Sequence, residues 1–224
     1  MNTRRLQVIS SYLWPRYSLL LERINRNPLN IIFLSEKKNA VSLPDRESLW
    51  LYISQNYLSK EAIDYLEFGV FEGYSIRKWS EINNDPRSRF YGFDTFTGLP
   101  EVWFGDMGKG TFTTEGRIPE IPDNRVTFVK GLFTDTLEVF LKDYHRKNRM
   151  VLHIDADLYS STLFVFISFH RILVNGDIII FDDFMDPVGE FKAFLDYCHA
   201  FGINPRLIAY VAYGKFIDKA TFIL

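Results

Sequence analysis

The stretch Tyr65–Ser75 constrains the fold of this chain most, because it joins a short apolar run to a helical pattern through two glycines. It has the form E-x-G-x-x-x-G, with Glu67, Gly69 and Gly73 at the fixed positions. Glycine lets a backbone approach a ligand closely because it has no Cβ, and a helix start offers unpaired N–H groups to anions. The pattern predicts a strand–turn–helix corner, which is either a ligand-binding turn or an ordinary corner of an α/β sheet.

A second acidic signal follows the next predicted strand. Asp94 ends the run Phe90–Asp94 and stands 21 residues after Gly73. In nucleotide-binding α/β folds, an acid about 20 residues beyond the glycine turn binds the ribose hydroxyls. The two signals together favour a ligand with a ribose, although the dinucleotide fingerprint G-x-G-x-x-G is absent.

The composition bounds the class of protein. The 224 residues are 47% hydrophobic and 17% aromatic, which is ample for a buried core, and the net charge is −2. A charge so close to neutral gives no electrostatic reason to expect a nucleic-acid partner. Cys198 is the single cysteine, so no internal disulfide is expected, and the chain fits a reducing cytoplasm. No apolar run reaches the roughly 18 residues of a membrane span.

Strand and helix patterns alternate from residue 62 onward and predict a doubly wound, mostly parallel α/β sheet. The predicted strands are 63–68, 89–93, 126–129, 150–154 and 177–181, followed by an antiparallel pair, 206–213 and 220–224, that closes one edge. The predicted helices are 74–83, one starting over 137–142, 160–174 with Ser160 or Ser161 as its cap, and 189–201.

Residues 1–60 precede this alternation and are predicted to form an N-terminal helical extension to a domain spanning residues 61–224. A helix is expected near residues 44–53, after the start signal Leu43-Pro44. The extension is interpreted as a lid, a dimer surface, a membrane-surface contact or plain packing on the sheet edge. If the extension is a dimer surface, the protein would form a homo-oligomer through it.

Carboxylates follow two neighbouring predicted strands, with Asp155 and Asp157 after one and Asp182 and Asp183 after the other. Ligands of open parallel sheets bind beyond the carboxyl ends of the strands, and like charges gathered there need a cation or a proton between them. Oxygen ligands without cysteine or clustered histidine indicate a hard divalent ion such as Mg²⁺. The alternative is helix caps and solvated loop acids, with Asp157 placed to cap the next helix. His153, inside an apolar run, is interpreted as a packed, hydrogen-bonded histidine.

Five motifs in order make the chain resemble the macrocin O-methyltransferase-like (TylF/MycF-type) family of class I S-adenosylmethionine-dependent methyltransferases. The resemblance runs from about Tyr65 to Phe194 and is carried by LEFGVFEGYSI, YGFDTFTGLPE, GLFTDTL, HIDADLYSST and FDDF. It implies a seven-stranded, Rossmann-like sheet that binds S-adenosylmethionine and Mg²⁺ and methylates a hydroxyl of a sugar or glycosylated natural product. The motif positions 71 and 72 vary in the family, so no contact is assigned to them.

Site residues follow from the resemblance position by position. The metal ligands would be Asp155, Asp182 and Asp183. The base is a separate mechanistic hypothesis: Asp155 would accept the proton as a ligand on the substrate side, with Glu36 and His153 as weaker candidates. The cofactor would be bound by a larger set: Glu67, Gly69, Val70, Gly73, Ser75, Asp94, Gly131, Phe133 and Asp155.

The substrate is expected to be a small sugar or glycoside, bound by residues 1–60 and by the long segment Thr95–Asp123. Trp103, Phe104 and Phe112 would stack on a sugar face or cover the sheet edge. Three other functions stay open: a metal-independent small-molecule methyltransferase, a non-catalytic partner in a polysaccharide or antibiotic assembly complex, and a nicotinamide dehydrogenase. The last is disfavoured because the third fingerprint glycine is missing.

Overall fold

The structure is a computed structural model that describes residues 37–103, 106–214 and 216–224. Residues 40–224 form one compact unit. Three sequence-based predictions lie outside the described residues: the extension before residue 37, the candidate base Glu36 and the candidate substrate contact Phe104.

The described residues form eight strands and five helices. The strands are β1 Val41–Leu43, β2 Ile63–Phe68, β3 Arg89–Asp94, β4 Val126–Lys130, β5 Arg149–Ile154, β6 Ile178–Phe181, β7 Arg206–Tyr213 and β8 Phe216–Ile223. The helices are α1 Arg46–Asn56, α2 Tyr74–Ile82, α3 Phe133–Asp143, α4 Tyr159–Phe169 and α5 Glu190–Phe201.

All eight strands belong to one sheet of order β1-β7-β8-β6-β5-β2-β3-β4. Every neighbouring pair is parallel except the two that involve β8. The predicted doubly wound, mostly parallel sheet is therefore confirmed, with eight strands rather than seven. The additional strand, β1, is only three residues long, too short for its alternation to be read from the sequence. It pairs with β7, so the antiparallel pair of β7 and β8 does not form the edge itself.

The order of the strands reverses beside β2. The chain passes from β2 to β3 and β4 on one side, and then returns to place β5 against the other side of β2. Such a reversal leaves a crevice beyond the carboxyl ends of the two strands, where ligands of open α/β sheets bind. The functional site is therefore expected at the ends of β2 and β5.

Helices cover both faces of the sheet, as the alternation of side chains along each strand requires. On one face, Trp50 of α1 and Trp79 of α2 belong to a buried cluster with Tyr65 of β2. On the other face, Phe169 of α4 contacts Phe68, the last residue of β2. Because β2 is buried along its whole length, groups at its end are held on a rigid support.

Two helix boundaries differ from the prediction. Helix α3 begins at Phe133 rather than near residue 137, because the carbonyl of Leu132 already accepts the N–H groups of Asp135 and Thr136. Helix α4 ends at Phe169 rather than at residue 174, because the N–H of His170 donates to the carbonyl of Ile167 and that of Ile172 to the carbonyl of Phe169, which are turns of three residues instead of the helical four.

Residues 40–60 join the compact unit. β1 adds to the sheet, and α1 buries Leu49, Trp50 and Ile53 in the core cluster. The helix expected near residues 44–53 is confirmed as α1, whose cap is the Asp45 side chain, which accepts the N–H of Ser48. The predicted division of the chain at residues 60 and 61 stays a prediction.

Candidate active site

A cleft of about 380 Å³ opens at the reversal point of the sheet. Its walls are the turn after β2, the ends of β3, β5 and β6, and part of the long segment after β3. Of the residues predicted to bind a cofactor, those that line it are Gly69, Val70, Asp94, Phe133 and Asp155. The other four, Glu67, Gly73, Ser75 and Gly131, lie outside its described lining.

Gly69 lets the ends of β2 and β5 meet. Its φ of +96° is in the left-handed region, and a Cβ at this position would overlap the carbonyl oxygen of Asp155. The N–H of Asp155 donates to the carbonyl of Phe68 at 2.9 Å, which closes the same contact from the other strand. The glycine thus places Asp155 directly beside the turn after β2.

Gly73 was predicted to contact the cofactor, but its nearest neighbour in the structure is Pro119. It caps α2 with a φ of 77°, and a Cβ there would stand 2.9 Å from the Cγ of Pro119. The glycine therefore accommodates the segment that follows β3, and this packing separates it from the described lining of the cleft.

Asp94 organises the turn after β2. Its Oδ2 accepts the N–H groups of Val70 and Phe71 at 2.8 Å each, and its Oδ1 accepts the N–H of Phe96 at 2.7 Å. These bonds hold the turn after β2 against the end of β3. Asp94 still lines the cleft. Of its about four acceptor sites, three accept these short bonds and the fourth accepts only a long bond of 3.5 Å from the hydroxyl of Thr95, which a ligand hydroxyl could replace.

A buried polar network lies beneath the cleft on β2 and β5. The hydroxyl of Tyr65 donates to Oε2 of Glu67 at 2.5 Å and stands 2.6 Å from Nδ1 of His153. Burial lowers the pKa of His153 to about 4 and raises that of Glu67 well above its ordinary value. The prediction that His153 is a packed, hydrogen-bonded histidine is confirmed.

Three carboxylates meet at the cleft. Asp155, Asp157 and Asp183 each present one oxygen, and these oxygens lie within 4.8 Å of one another. We call these three residues the acidic cluster. Such a set fits a hard divalent cation, which prefers carboxylate oxygens.

The electrostatics of the acidic cluster follow from burial and crowding. Burial, followed by the charge of Asp182, raises the pKa of Asp155 well above its ordinary value. Burial and the neighbouring Asp183 raise the pKa of Asp157 to about 8, and burial and Asp182 raise that of Asp183 to about 6. Proteins tolerate such a group when a proton or a cation offsets the repulsion.

Asp182 stands apart from the cluster, although the family resemblance assigns it to the metal. Lys219 donates to its Oδ2 and to its carbonyl at 2.9 Å each, and Arg46 lies 3.9 Å from the same Oδ2. Its Oδ1 is buried and has no hydrogen-bond partner among the described residues. One oxygen of Asp182 is therefore committed to a lysine, and the other is available.

For Asp157 the sequence left two alternatives open, a place among the gathered carboxylates or a cap of the next helix. The cap is excluded, because the cap position of α4 is Leu158 and no side chain caps the helix. Asp157 instead adopts a left-handed φ of 58° and is buried. Ser160 does not cap α4 either, since its hydroxyl donates to Glu101. The D-A-D spacing, which places a second acid two residues after a strand end, is the signal that could have found Asp157.

Aromatic side chains line the mouth of the cleft. Phe112 stands edge-on to Phe71, with ring centroids 6.1 Å apart, and lies 6.5 Å from Trp103. Nε1 of Trp103 donates to Asp186 at 2.8 Å, which ties the segment after β3 to the loop after β6. Trp103 and Phe112 thus lie together in the lining of the cleft, and their role as a substrate wall stays a prediction.

A family profile described as "Methyltransferase domain" matches residues 66–184, more than half of the chain. This chain belongs to the methyltransferase domain family. The match begins in β2 and ends just after Asp183, so it contains the acidic cluster and the strand ends that form the cleft.

Solved structures of methyltransferases share the fold of this methyltransferase. The O-methyltransferase NovP has a TM-score of 0.59 and 21% identity, covering 80% of this chain and 78% of that one. CalS11, a TDP-rhamnose 3'-O-methyltransferase of calicheamicin biosynthesis, has a TM-score of 0.57 and 20% identity, covering 79% and 77%. An O-methyltransferase from Bacillus cereus, solved with SAH, has a TM-score of 0.53 and 16% identity, covering 97% and 96%.

At these identities the likeness establishes the class I methyltransferase fold. A search of curated proteins found no match to this methyltransferase. Within the described ranges, no helix has the length and apolar character that crossing a membrane requires.

Proposed function

We propose that this methyltransferase transfers a methyl group from S-adenosylmethionine to a hydroxyl of a sugar or glycosylated natural product, with a divalent cation such as Mg²⁺. The observation that carries the proposal is the position of the acidic cluster on the wall of the same cleft as Gly69 and Asp94. The activities named for CalS11 and NovP support an oxygen acceptor, and that of CalS11 supports a sugar. The macrocin-like motifs of the sequence support the same substrate class.

The cofactor would lie along the turn after β2. Asp94 would accept hydrogen bonds from the ribose hydroxyls, and Gly69 and Val70 would pass beside the methionine portion. Phe133, at the start of α3, would border the adenine. When bound, S-adenosylmethionine supplies a methyl group on a sulfonium, which is the electrophile of the reaction.

The cation would be held by Asp155, Asp157 and Asp183, with the unpartnered Oδ1 of Asp182 as a further oxygen. When bound, a divalent cation lowers the pKa of a coordinated hydroxyl and orients it. The donor set is made entirely of carboxylate oxygens, which suits Mg²⁺ better than a softer metal.

Asp155 is the residue best placed to accept the proton. It lies at the contact between β2 and β5 and lines the cleft. In the proposed step, the acceptor oxygen forms a bond to the methyl carbon as the carbon–sulfur bond breaks, and the hydroxyl proton passes to a carboxylate oxygen of Asp155. Trp103 and Phe112 would exclude water and hold the apolar face of a sugar ring at the mouth.

The pairing of Asp182 with Lys219 specifically favours one second candidate, a methyltransferase that needs no metal. In that function, Lys219 would neutralise part of the acidic rim permanently. Chelation separates the two candidates, because only the proposed enzyme depends on a removable cation.

The test uses the purified full-length protein with methyl-labelled S-adenosylmethionine and a panel of TDP-sugars that includes TDP-rhamnose. Turnover is expected to cease with EDTA and to return with added Mg²⁺. The double variant Asp182→Asn/Asp183→Asn is expected to lose turnover while its affinity for SAH, measured by calorimetry, stays within about threefold of wild type. Glu138→Gln on α3 is the matched control, because Glu138 is exposed and its ion pair is with Lys142, one turn along the same helix.

The outcomes separate the parts of the proposal. Full activity in EDTA, or a native rate in the double variant, would refute the metal and leave the second candidate. Absence of SAH binding by the wild-type protein would refute methyl transfer itself.

A further inference from the structure

Glu190 is a buried carboxyl that the sequence analysis did not select. It is the first residue of α5 and is fully buried. Its Oε1 accepts the N–H of Ala156 at 2.8 Å and that of Asp157 at 3.1 Å, and its Oε2 accepts the N–H of Asp183 at 3.3 Å. One side chain therefore bonds to the backbone of both loops that carry the acidic cluster.

The conformation of Asp157 depends on this support. A non-glycine residue with φ of 58° is in a sparsely populated region that costs energy unless its surroundings hold it there. The bond from the Asp157 N–H to Glu190 is one such restraint. Gly189 supplies another, because a Cβ there would collide with the side chain of Asp186 and the carbonyl of Asp157. The start of α5 is thus packed directly against the turn that aims Asp157 at the cluster.

Packing alone does not explain a carboxyl at this buried position. Burying it beside other acids costs energy, whereas an apolar side chain of similar volume would add no negative charge. What a carboxyl provides is two acceptor oxygens, which satisfy three N–H groups from two loops at once. That geometry fixes the separation between the turn at Asp157 and the turn at Asp183.

We propose that Glu190 is a positioning residue that sets the spacing of Asp155, Asp157 and Asp183 for a divalent cation without touching the cation itself. The inference rests on the proposed function, since it assumes that the acidic cluster binds a metal. Groups that orient metal ligands from behind typically change metal affinity by about 10- to 100-fold when they are lost. The hydrogen bonds of Glu190 go to the turns at Asp157 and Asp183 and not to the turn after β2, so cofactor affinity should change little.

The test measures Mn²⁺ binding by electron paramagnetic resonance and SAH binding by calorimetry on the same full-length samples. Glu190→Ala removes all three bonds and is expected to weaken Mn²⁺ binding by about 10- to 100-fold. Glu190→Gln keeps an acceptor for Ala156 and Asp157 but turns an amide donor toward the N–H of Asp183. It is therefore expected to restore part of the lost affinity. Glu138→Gln, which removes an exposed acid, should bind Mn²⁺ as the wild type does.

Affinity for SAH is expected to stay within about threefold in both variants of Glu190. Native Mn²⁺ affinity in Glu190→Ala would overturn the proposal, as would a parallel loss of Mn²⁺ and SAH affinity, which would indicate a general structural role. If Glu190→Ala fails to fold, Glu190→Gln decides alone: its Mn²⁺ affinity should be below that of the wild type while its SAH affinity is unchanged, and native Mn²⁺ affinity would overturn the proposal. A wild-type protein that binds SAH but no Mn²⁺ would refute the metal of the proposed function, a result distinct from failure at Glu190.

Discussion

Both ends of the central strands carry buried acids, but the acids differ in their neighbours: positively charged and hydroxyl groups at the amino ends, and other acids at the carboxyl ends. At the amino ends, Asp64 of β2 is fully buried and accepts hydrogen bonds from Nε of Arg89 at 2.9 Å, from the hydroxyl of Tyr144 at 2.8 Å and from Nδ2 of Asn148 at 2.9 Å. Asp177, just before β6, is paired in the same manner with Arg146. Burial opposes ionisation of Asp64, but these partners outweigh it and hold its pKa below the ordinary value.

At the carboxyl ends, the acidic cluster has other acids as its nearest ionisable neighbours. The pKa values of Asp155, Asp157 and Asp183 are all raised, first by burial and then by those neighbours. The acids at the amino ends are therefore paired with arginine. Among the described residues the acidic cluster has no ion pair with lysine or arginine, and at the cleft Lys219 and Arg46 pair with Asp182 instead. The negative charge of the cluster is therefore left to be offset by protons or by a cation.

The largest expected effect is on stability at the amino end. Asp64→Ala leaves the partly buried guanidinium of Arg89 without its carboxylate and should lower the free energy of unfolding by about 3 kcal/mol. Asp183→Asn, measured in EDTA, should instead raise it by up to about 1 kcal/mol, because it removes a like charge from the cluster. Urea denaturation of both variants checks the contrast. Equal destabilisation by the two substitutions would contradict the distinction between the two ends.

The next effect is the dependence of stability on pH. Asp157, with a pKa of about 8, and Asp183, with a pKa of about 6, bind protons more tightly in the folded chain than at their ordinary value of 3.8. The folded state then holds more protons than the unfolded state between about pH 4 and pH 8, so these groups make stability fall as the pH rises through that window. In EDTA, this contribution should be at least about 1 kcal/mol.

Asp183→Asn is the control for the pH prediction, because it removes one titrating group and weakens the repulsion on another. Denaturation midpoints should fall less steeply with pH in this variant than in the wild type. Saturating Mg²⁺ should also flatten the wild-type profile, since a cation replaces the protons. An identical slope in all three samples would show that the cluster does not control it.

The smallest expected effect lies at the mouth of the cleft. Trp103→Phe keeps an aromatic wall but removes the bond from Nε1 to Asp186. A single hydrogen bond contributes about 0.5–1.5 kcal/mol, so KM for the acceptor should rise by about 3- to 10-fold with little change in kcat. Steady-state kinetics check it, with Mn²⁺ affinity as the internal reference. A fall in Mn²⁺ affinity would place Trp103 with the residues that support the acidic cluster.

Local pattern was enough to predict most elements of the main sheet. The strand β2 and the alternation that follows it could be derived because apolar periodicity and glycine turns act over a few residues. Strand β1 could not, since three residues carry no periodicity and their pairing with β7 depends on a strand more than 160 residues later. The caps of α4 were mispredicted for a similar reason, because Ser160 and Asp157 find partners outside their own helix.

The sequence by itself determined which acids stand at strand ends and that Asp94 follows the glycine turn at the spacing of a ribose-binding acid. It could do so because strand direction places every carboxyl end at one edge of a parallel sheet. Only the tertiary structure decided where the oxygens of those acids face. Lys219 reaches Asp182 from β8, Glu190 bonds to the turns at Asp157 and Asp183 from α5, and Gly69 brings Asp155 against the end of β2. Each of these contacts joins segments that are distant in sequence, and side-chain direction in a loop is set by such contacts rather than by the spacing of residues along the chain.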